Sequence, residues 1–464
     1  MSAKQQTTPP RKASAAKKTP PPKGPKKVDV HHLTRVEGHG NIVVEIDGKG
    51  TVKHCRWDVV EAPRFFEAMV LNRPYQDIHH ITSRICGICS IGHQLASLQA
   101  TEDAMGVQVS DQTVQLRKIA LHAENLQSHL LHIGYLVLPD LMGVGSVIPL
   151  AQTHKEELLT LIGARRISNE LSQLIGGRTT HPQSLVPGGM AKLPTEPELR
   201  EMMGKVEEMC RRTEKVVDLF ASLDEKWPRF QRPTEYVALV SPTGYALYRG
   251  ELGSSKDQRR PVPLYQDLTN EYCVPQSTAK WAKNTEDSYM VGALARFNLN
   301  HELLHDRAKA AAKKLGLKAP CHNPFAITLA QLVECVHSCE DSMQLIDQVL
   351  TRGLRQEQPV PITPRAGKGV GAVEVPRGLL FHAYEYDDNG RVVWADCVIP
   401  TNQNHGNIQK DFDAMAPSLT ELDEPAIELQ LSMLVRAYDP CISCSTHYID
   451  LREQSKSWVT FVRV

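Results

Sequence analysis

Two pairs of cysteines stand near opposite ends of this chain of 464 residues, and each pair is followed by a histidine. The pairs have CxxC spacing and consist of Cys86 with Cys89 and Cys441 with Cys444. Thiolates in this arrangement bind soft metals such as nickel, iron or zinc. A structural zinc site usually collects its ligands within one short segment. Since most of the chain separates these pairs, a shared site requires a fold that brings the two ends together.

The first 27 residues are predicted to form a disordered basic tail. They contain eight Lys and Arg residues, and no acidic residue precedes Asp29. A segment this rich in Lys, Pro, Ala and Thr buries too little apolar surface to fold. Without these eight residues the chain has 45 basic against 53 acidic residues. We therefore expect no nucleic-acid partner and interpret the tail as solvated.

The rest of the composition predicts a cytoplasmic protein without a membrane span. The best apolar stretch, near Leu136, is interrupted by His132 and Asp140 and is shorter than the roughly 20 residues that a membrane helix needs. Neither a secretory signal nor a twin-arginine signal is found. The 11 cysteines are odd in number, so reduced thiols and metal binding fit better than disulfides.

Short strands are predicted toward both ends of the chain. Residues 28–61 alternate in polarity around a turn at 47–50, which predicts a hairpin. Asn389-Gly390 predicts a second hairpin between strands at 379–386 and 391–399. Together with the helices between them, these strands indicate an α+β fold.

The middle of the chain predicts a bundle of long helices. Apolar residues at helical spacing predict a long core helix over 112–138, which Pro139 ends. Further helices are predicted over 158–176, 198–223, 289–315, 324–350 and 424–434. We expect this bundle and the small sheets to bring both cysteine pairs to one buried metal site.

A structural zinc site with four cysteine ligands is the simplest alternative. Against it stand cationic and proton-handling residues in short motifs, namely Arg35 and Glu37 in Arg35-Val36-Glu37-Gly38-His39, Glu67, and Arg377 in Pro376-Arg377-Gly378. A structural zinc ion requires none of these groups.

With these motifs the chain resembles the large, catalytic subunit of the nickel-iron hydrogenases. The first pair, with Arg84 and His93, matches that family's RxCGxCxxxH motif, and the second, with Asp439 and His447, matches DPCxxCxxH. Further matches are residues 35–39 (RxEGH), His181-Pro182 with Gly188-Gly189 (HPxxxxxGG), 291–296 and 376–378. The matches span nearly all of the chain after the basic tail.

The resemblance implies a nickel-iron centre that splits dihydrogen reversibly and heterolytically. Cys86 and Cys441 would be terminal nickel ligands. Cys89 and Cys444 would bridge nickel to an iron that bears carbon monoxide and cyanide. Heterolytic cleavage needs a nearby base, which a terminal thiolate provides, and we expect Cys441 and then Glu37 to carry the proton outward.

Further roles follow from the same resemblance. Arg377 would lie over the open metal position, where a cation favours electron-rich states. Pro400 and Thr401 would contact a diatomic ligand of the iron. His93 would donate to a bridging sulfur, and Asp439 would act similarly or only shape its turn.

The resemblance also implies a second metal site and a maturation step. Glu67, the backbone carbonyl of Cys397 and His447 would hold magnesium or iron. Residues 28–447 would form the catalytic domain, and 448–464 an extension that a maturation protease removes after a nickel chaperone has delivered nickel. Alternatively, the strand-like composition of 458–462 indicates a permanent C-terminal strand.

No spaced set of cysteines for an iron-sulfur cluster is found in the sequence, so electrons would leave through an iron-sulfur small subunit. Residues 62–68 and 436–439 look most like the cytoplasmic multimeric group, the sulfhydrogenase and NAD(P)-linked α subunits. A flavin-containing diaphorase would then accept the electrons. Two alternatives stay open: a hydrogen-sensing subunit without turnover, and the structural zinc protein.

Overall fold

The computed structural model describes residues 24–31 and 33–446. Most of the predicted basic tail, the predicted C-terminal extension 448–464 and the predicted ligand His447 lie outside these residues. The first strand begins at Lys26, which lies two residues before the predicted start of the catalytic domain.

The strands lie in small sheets that are distributed along the chain. Their bounds are β1 Lys26–Val30, β2 Gly40–Ile46, β3 Val52–Val59, β4 Leu185–Val186, β5 Gly189–Met190, β6 Glu235–Val240, β7 Glu251–Ser254, β8 Gln258–Arg260, β9 Asn270–Tyr272, β10 Trp281–Lys283, β11 Tyr289–Met290, β12 Gly367–Val375, β13 Gly378–Tyr386 and β14 Val392–Val398. The sheets have the orders β1-β2-β3, β11-β6-β7-β8 and β12-β13-β14, with the pairs β4-β5 and β9-β10. All pairings are antiparallel except that of β11 with β6.

Helices make up the centre of the molecule. Their bounds are α1 Phe66–Val70, α2 Tyr75–Thr82, α3 Ser90–Met105, α4 Asp111–Leu131, α5 Leu138–Leu141, α6 Leu150–Thr153, α7 Lys155–Gly176, α8 Glu196–Ser222, α9 Ala293–Asn300, α10 Asp306–Lys314, α11 Ile327–Arg352, α12 Pro400–Met415, α13 Glu424–Ala437 and α14 Ile442–Ser445. The long helices α4, α7, α8 and α11 pack on one another. Their apolar faces, which include Leu126, Leu171 and Val333, form the main core. The predicted α+β fold with a central helix bundle is confirmed.

Three glycines allow α3 to lie directly on the sheet β12-β13-β14. A Cβ at Gly367 would lie 2.6 Å from the carbonyl oxygen of Ala104. At Gly369 and Gly371 the corresponding distances to α3 carbonyl oxygens are 2.1 and 2.0 Å. The alternate residues of a strand share one face, so this face of β12 is smooth enough for close helix packing. The contact fixes the start of α3, which follows Cys89, relative to the end of β12, which precedes Arg377.

The prediction that Pro139 ends the long helix is wrong. After α4 the chain forms a π-helical turn over His132–Val137 and continues into α5, which contains Pro139 in its first turn. The first turn of a helix needs no N–H donor, so proline fits there. The wider turn also leaves the carbonyl oxygen of Leu136 to an outside donor, because Arg35 Nη1 binds it at 2.7 Å.

The single helix predicted over 289–315 is also wrong. Residues 289–290 form β11, and α9 and α10 are separated by a 3-10 turn at His301–Leu303. Gly292 begins α9 with a φ of 108°, and a Cβ there would lie 2.9 Å from the carbonyl oxygen of Arg377. The glycine is therefore required by close backbone packing that helical periodicity does not reveal.

Across the part of the chain that the structure describes, no helix is long and apolar enough to cross a membrane.

Arg296 and Glu334 form a fully buried ion pair between α9 and α11. Arg296 Nε and Nη2 each lie 2.6 Å from a Glu334 oxygen, and Nη1 lies 2.9 Å from Glu374. Burial alone raises the pKa of Glu334, but Arg296 and His129 outweigh this effect and lower that pKa well below its ordinary value. The carboxylate therefore stabilises the fold above the pKa of the unfolded chain, and the stabilisation is lost as pH falls below it.

We expect Glu334→Gln to lower the free energy of unfolding at pH 7 by about 3 kcal/mol, because it leaves the Arg296 charge poorly compensated in the core. The difference from wild type should narrow below about pH 4, where the wild-type carboxylate takes up a proton. Urea unfolding at both pH values measures it. Asp224→Asn in the exposed Arg229–Asp224 pair is the matched control and should change the urea midpoint little. An equal effect of both substitutions would contradict the expected role of the buried pair.

Candidate metal centre

The four cysteines of the two CxxC pairs meet at one point in the interior. All four sulfur atoms lie within 4.8 Å of one another, and each residue is at most 4% exposed. Cys86 and Cys441, from opposite ends of the chain, have their sulfurs 3.5 Å apart. The prediction that the fold gathers both pairs at a buried site is confirmed.

The first pair sits in a loop whose backbone donors point at sulfur. The N–H groups of Ile88 and Cys89 lie 3.3 and 3.1 Å from Cys86 Sγ. Cys89 is the residue directly before α3. Hydrogen bonds of this kind stabilise a thiolate, which is the form that binds metal.

The second pair is held by the N-terminal segment and by α12. The Cys441 N–H donates to Thr401 Oγ1 at 3.0 Å, and Ile442 N–H donates to the Glu37 carbonyl oxygen at 3.0 Å. Pro400 and Thr401 are buried at the start of α12. The predicted iron-ligand contacts Pro400 and Thr401 therefore lie beside the second pair.

The thiols perturb one another strongly. Burial raises the pKa of Cys86, but hydrogen bonds from Cys441, Cys444 and Cys89 and the charge of Arg377 outweigh it and lower that pKa well below the ordinary value. Burial also raises the pKa of Cys444. Four thiolates this close in a dry site need cations to balance their charge. A set of four sulfur donors suits nickel and iron, so the residues present fit the predicted centre.

Arg377 is a buried cation whose position is fixed by Asp439. Its Nε donates to the Asp439 carbonyl oxygen at 2.6 Å and its Nη2 to the carboxylate at 2.9 Å. Its Nη1 lies 3.3 Å from Ser128 Oγ, and Gln331 Nε2 donates to the other Asp439 oxygen at 3.2 Å. The thiols of Cys86, Cys89 and Cys441 all contribute to raising the pKa of Arg377, which places its charge in the field of the cluster.

Glu37 lies against the second pair, where it is half-buried. Its carboxylate accepts the Ser443 N–H at 3.2 Å and also hydrogen-bonds to the Ser443 hydroxyl. Its backbone bridges to Cys441. Gly38 follows with a φ of 83°, and a Cβ there would lie 2.8 Å from the backbone nitrogen of Ser443. The RxEGH glycine is thus needed for the approach of Glu37 to the cysteines.

The predicted second metal site is partly brought together. Glu67 is 6% exposed and accepts the backbone N–H of Cys397 at 3.3 Å. Lys280 also lies in the electrostatic field of Glu67. His447, the third predicted ligand, lies outside the described residues.

His93 is fully buried on α3, and its Nδ1 lies 3.0 Å from His382 Nε2. His382 in turn hydrogen-bonds to Tyr384 and lies 3.6 Å from the sulfur of Cys397. The role of His93 as a donor to a bridging sulfur stays a prediction.

Several residues at the site were not found by sequence reasoning, namely Glu124, Ser128, Gln331, His382 and Ser443. Glu124 and Ser128 lie one turn apart on α4, within a helix face that is otherwise apolar. Polar residues at that spacing in a buried helix are the signal that could have identified them.

Comparison with known proteins supports this assignment over most of the chain. Residues 64–160 and 246–447 match the family described as nickel-dependent hydrogenase, and residues 27–62 match one described as HoxL-like. The alpha chain of sulfhydrogenase 1 of Pyrococcus furiosus is 33% identical over 434 residues, which cover 91% of this chain and 98% of the relative. A vhu subunit of the F420-non-reducing hydrogenase of Methanococcus voltae is 30% identical over 420 residues, covering 85% and 99%.

Solved structures show the same fold. The crystal structure of an NAD+-reducing [NiFe]-hydrogenase in the H2-reduced state matches with a TM-score of 0.82 and 28% identity, covering 91% of this chain and 99% of that one. The [NiFeSe]-hydrogenase of Dm. baculatum matches with a TM-score of 0.76 at 22% identity, which indicates fold alone. With its four buried thiols and the buried arginine beside them, this chain belongs to the nickel-dependent hydrogenase family as a large, catalytic subunit.

Proposed function

We propose that this chain splits dihydrogen reversibly and heterolytically at a nickel-iron centre and passes the electrons to an iron-sulfur small subunit. The observation that carries the proposal is the convergence of four buried sulfurs within 4.8 Å. Cys86 and Cys441 would be terminal ligands of nickel, and Cys89 and Cys444 would bridge it to iron. When bound, these metals, with carbon monoxide and cyanide on the iron, supply the electron-rich site at which dihydrogen is polarised.

The chain's own residues handle the proton and the charge. Cys441 Sγ accepts the proton, and the backbone pairing of Cys441 with Glu37 keeps the next acceptor close. Arg377 supplies a fixed positive charge in a dry pocket, which favours the electron-rich states. Asp439 and Ser128 hold that guanidinium in place.

The remaining parts of the proposal concern metals and maturation. Thr401, which binds the Cys441 N–H, and Pro400 would contact a diatomic ligand of the iron. Glu67, the Cys397 carbonyl and His447 would hold magnesium or iron. A nickel chaperone would load the site, and a protease would then remove residues 448–464.

The proposed electron partner follows from what the chain holds. Within residues 24–31 and 33–446, the four cysteines are the one group of thiols, imidazoles and carboxylates that lies close enough together to hold a metal. The relatives named as alpha chains of sulfhydrogenases support a multi-subunit enzyme. We infer a cytoplasmic complex with a flavin-containing diaphorase and an iron-sulfur small subunit.

Isotope exchange tests the proposed reaction without any electron acceptor. The matured complex in H2O under D2 should form HD, because heterolytic cleavage releases deuterons that exchange with solvent protons. A matured preparation with nickel and iron that forms no HD would contradict the proposal. A sensor without turnover would instead exchange at most slowly and would not reduce a viologen dye under hydrogen.

Glu37→Gln is expected to lower hydrogen oxidation about 10²-fold, because an amide does not carry a proton outward from Cys441. The side chain keeps its shape, so nickel and iron contents should stay at wild-type levels. Glu61→Gln is the matched control, since Glu61 lies near Gly38 and binds His39 instead of a cysteine segment. Equal activity of the Glu37→Gln and Glu61→Gln proteins would rule out the proposed relay through Glu37.

A further inference from the structure

Glu124 is a buried carboxylate on α4 that lies against the first turn of α3. It is 1% exposed, and its oxygens accept the N–H of Ile91 at 2.6 Å and the N–H of Gly92 at 3.0 Å. These N–H groups belong to the residues directly after Ser90, where α3 begins. Glu124 therefore binds the helix end that follows the first cysteine pair.

The position of Cys89 explains why α3 needs this contact. The first N–H groups of a helix have no partner within the helix, and the residue before the helix usually accepts one with its own side chain. Cys89 occupies that position and makes no such side-chain hydrogen bond. Its sulfur lies instead in the group of four thiols. The cap is thus supplied from a neighbouring helix.

The contact is tightly built. A Cβ at Gly92 would lie 2.8 Å from Glu124 Oε1 and 2.1 Å from Val375 Cγ1. Val375 is the last residue of β12, two positions before Arg377. Glu124 also lies one helical turn from Ser128, which binds Arg377. The contact therefore joins the helix that follows Cys89 to the two elements that carry Arg377 and its partner.

Glu124 also shares an electrostatic environment with the thiols. Burial and the charge of Cys86 raise its pKa well above the ordinary value. The N–H groups of Gly92 and Ile91 and the charge of Arg377 act in the opposite direction. Both Cys86 and Arg377 are thus close enough to act on this carboxylate.

We propose that Glu124 is a positioning residue for the metal centre: it caps α3 in place of Cys89 and so leaves the Cys89 sulfur free to bind metal at a fixed distance from Cys86 and Arg377. This inference rests on the proposed nickel-iron function. It predicts that losing the cap loosens metal binding, whereas losing only the charge has a smaller effect.

Two substitutions separate the cap from the charge, each made in the matured complex. Glu124→Leu removes both acceptors, while Glu124→Gln keeps one carbonyl oxygen for the N–H groups. We expect Glu124→Leu to speed nickel loss to EDTA at least about ten-fold and to shift the infrared carbonyl band. Glu124→Gln should retain nickel within about three-fold of wild type, because the remaining oxygen still caps α3.

A second readout does not depend on metal. Hydrogen exchange of the backbone amides of Ile91 and Gly92 in the metal-free protein should be faster in Glu124→Leu by about ten-fold or more, since the amides lose their acceptor. If wild type itself binds no nickel, the proposed function fails, and this exchange measurement still decides the capping role. Should Glu124→Leu be insoluble, Glu124→Asp, which withdraws the oxygens by one methylene, should show an intermediate loss of nickel and intermediate exchange.

Thr195→Ala is the matched control, because Thr195 caps α8 by accepting the Glu198 N–H and is not part of the metal centre. It should lower the melting temperature without changing nickel loss or the carbonyl band. If Glu124→Leu behaves in the same way, lowering only the melting temperature, Glu124 is merely structural and the inference is overturned. Wild-type exchange at Ile91 and Gly92 in Glu124→Leu would overturn it too.

Discussion

Cys441→Ala is expected to abolish hydrogen oxidation, with a loss of at least about 10³-fold per protein molecule. Cys441 contributes one of the four clustered sulfurs, and its sulfur lies 3.5 Å from that of Cys86. Removing it leaves three donors and takes away the proposed first proton acceptor. We expect nickel to be lost as well. Gas uptake with a viologen dye, together with metal analysis, measures both effects.

Cys335→Ala provides the matched control for this substitution. Cys335 is as fully buried as Cys441, but it lies on α11 and is not one of the four clustered thiols. Its loss should leave nickel content and activity unchanged, because only a small apolar group is removed from the core. Full activity of the Cys441→Ala protein would contradict the proposed site.

Arg377→Lys is expected to lower hydrogen oxidation about 10²-fold while nickel and iron stay bound. The guanidinium makes separate hydrogen bonds to the carbonyl oxygen and the carboxylate of Asp439, at 2.6 and 2.9 Å. A lysine ammonium keeps the charge but lacks the planar fork that makes both contacts while facing the thiols. The charge is therefore displaced from the reacting centre, and its stabilising effect falls steeply in a dry site.

Arg117→Lys tests whether burial alone explains such a loss. Arg117 is fully buried and binds Glu102 at 2.7 and 2.8 Å, so it matches Arg377 in burial and in having a carboxylate partner. The substitution should lower stability but leave the activity per bound nickel unchanged. If both variants lose activity per nickel to the same degree, Arg377 has no special role in the reaction.

The metal site was more predictable than its supporting contacts. The two CxxC pairs, Glu37 and Arg377 belong to short motifs that a sequence displays directly, and the structure brings them together. By contrast, the binding of Arg377 by Asp439 depends on how β12, α11 and the C-terminal segment pack. No local pattern encodes which polar groups meet across such packed elements.

The fold shows the same division. The regular apolar spacing of α7 and α8 predicted those helices close to their observed bounds, Lys155–Gly176 and Glu196–Ser222. The π-helical turn at His132–Val137 was missed because its freed carbonyl group is bound by Arg35, about a hundred residues earlier in the chain. Helical periodicity continues smoothly through that turn, so only the tertiary contact distinguishes it.

Infrared spectroscopy combined with metal analysis of the purified, matured complex tests the central claim most directly. The account predicts sharp carbonyl and cyanide bands with nickel and iron in equal amounts, and the loss of these bands in the Cys441→Ala protein. Zinc alone, without those bands, would show that the four thiols form a structural site and would contradict the proposed reaction.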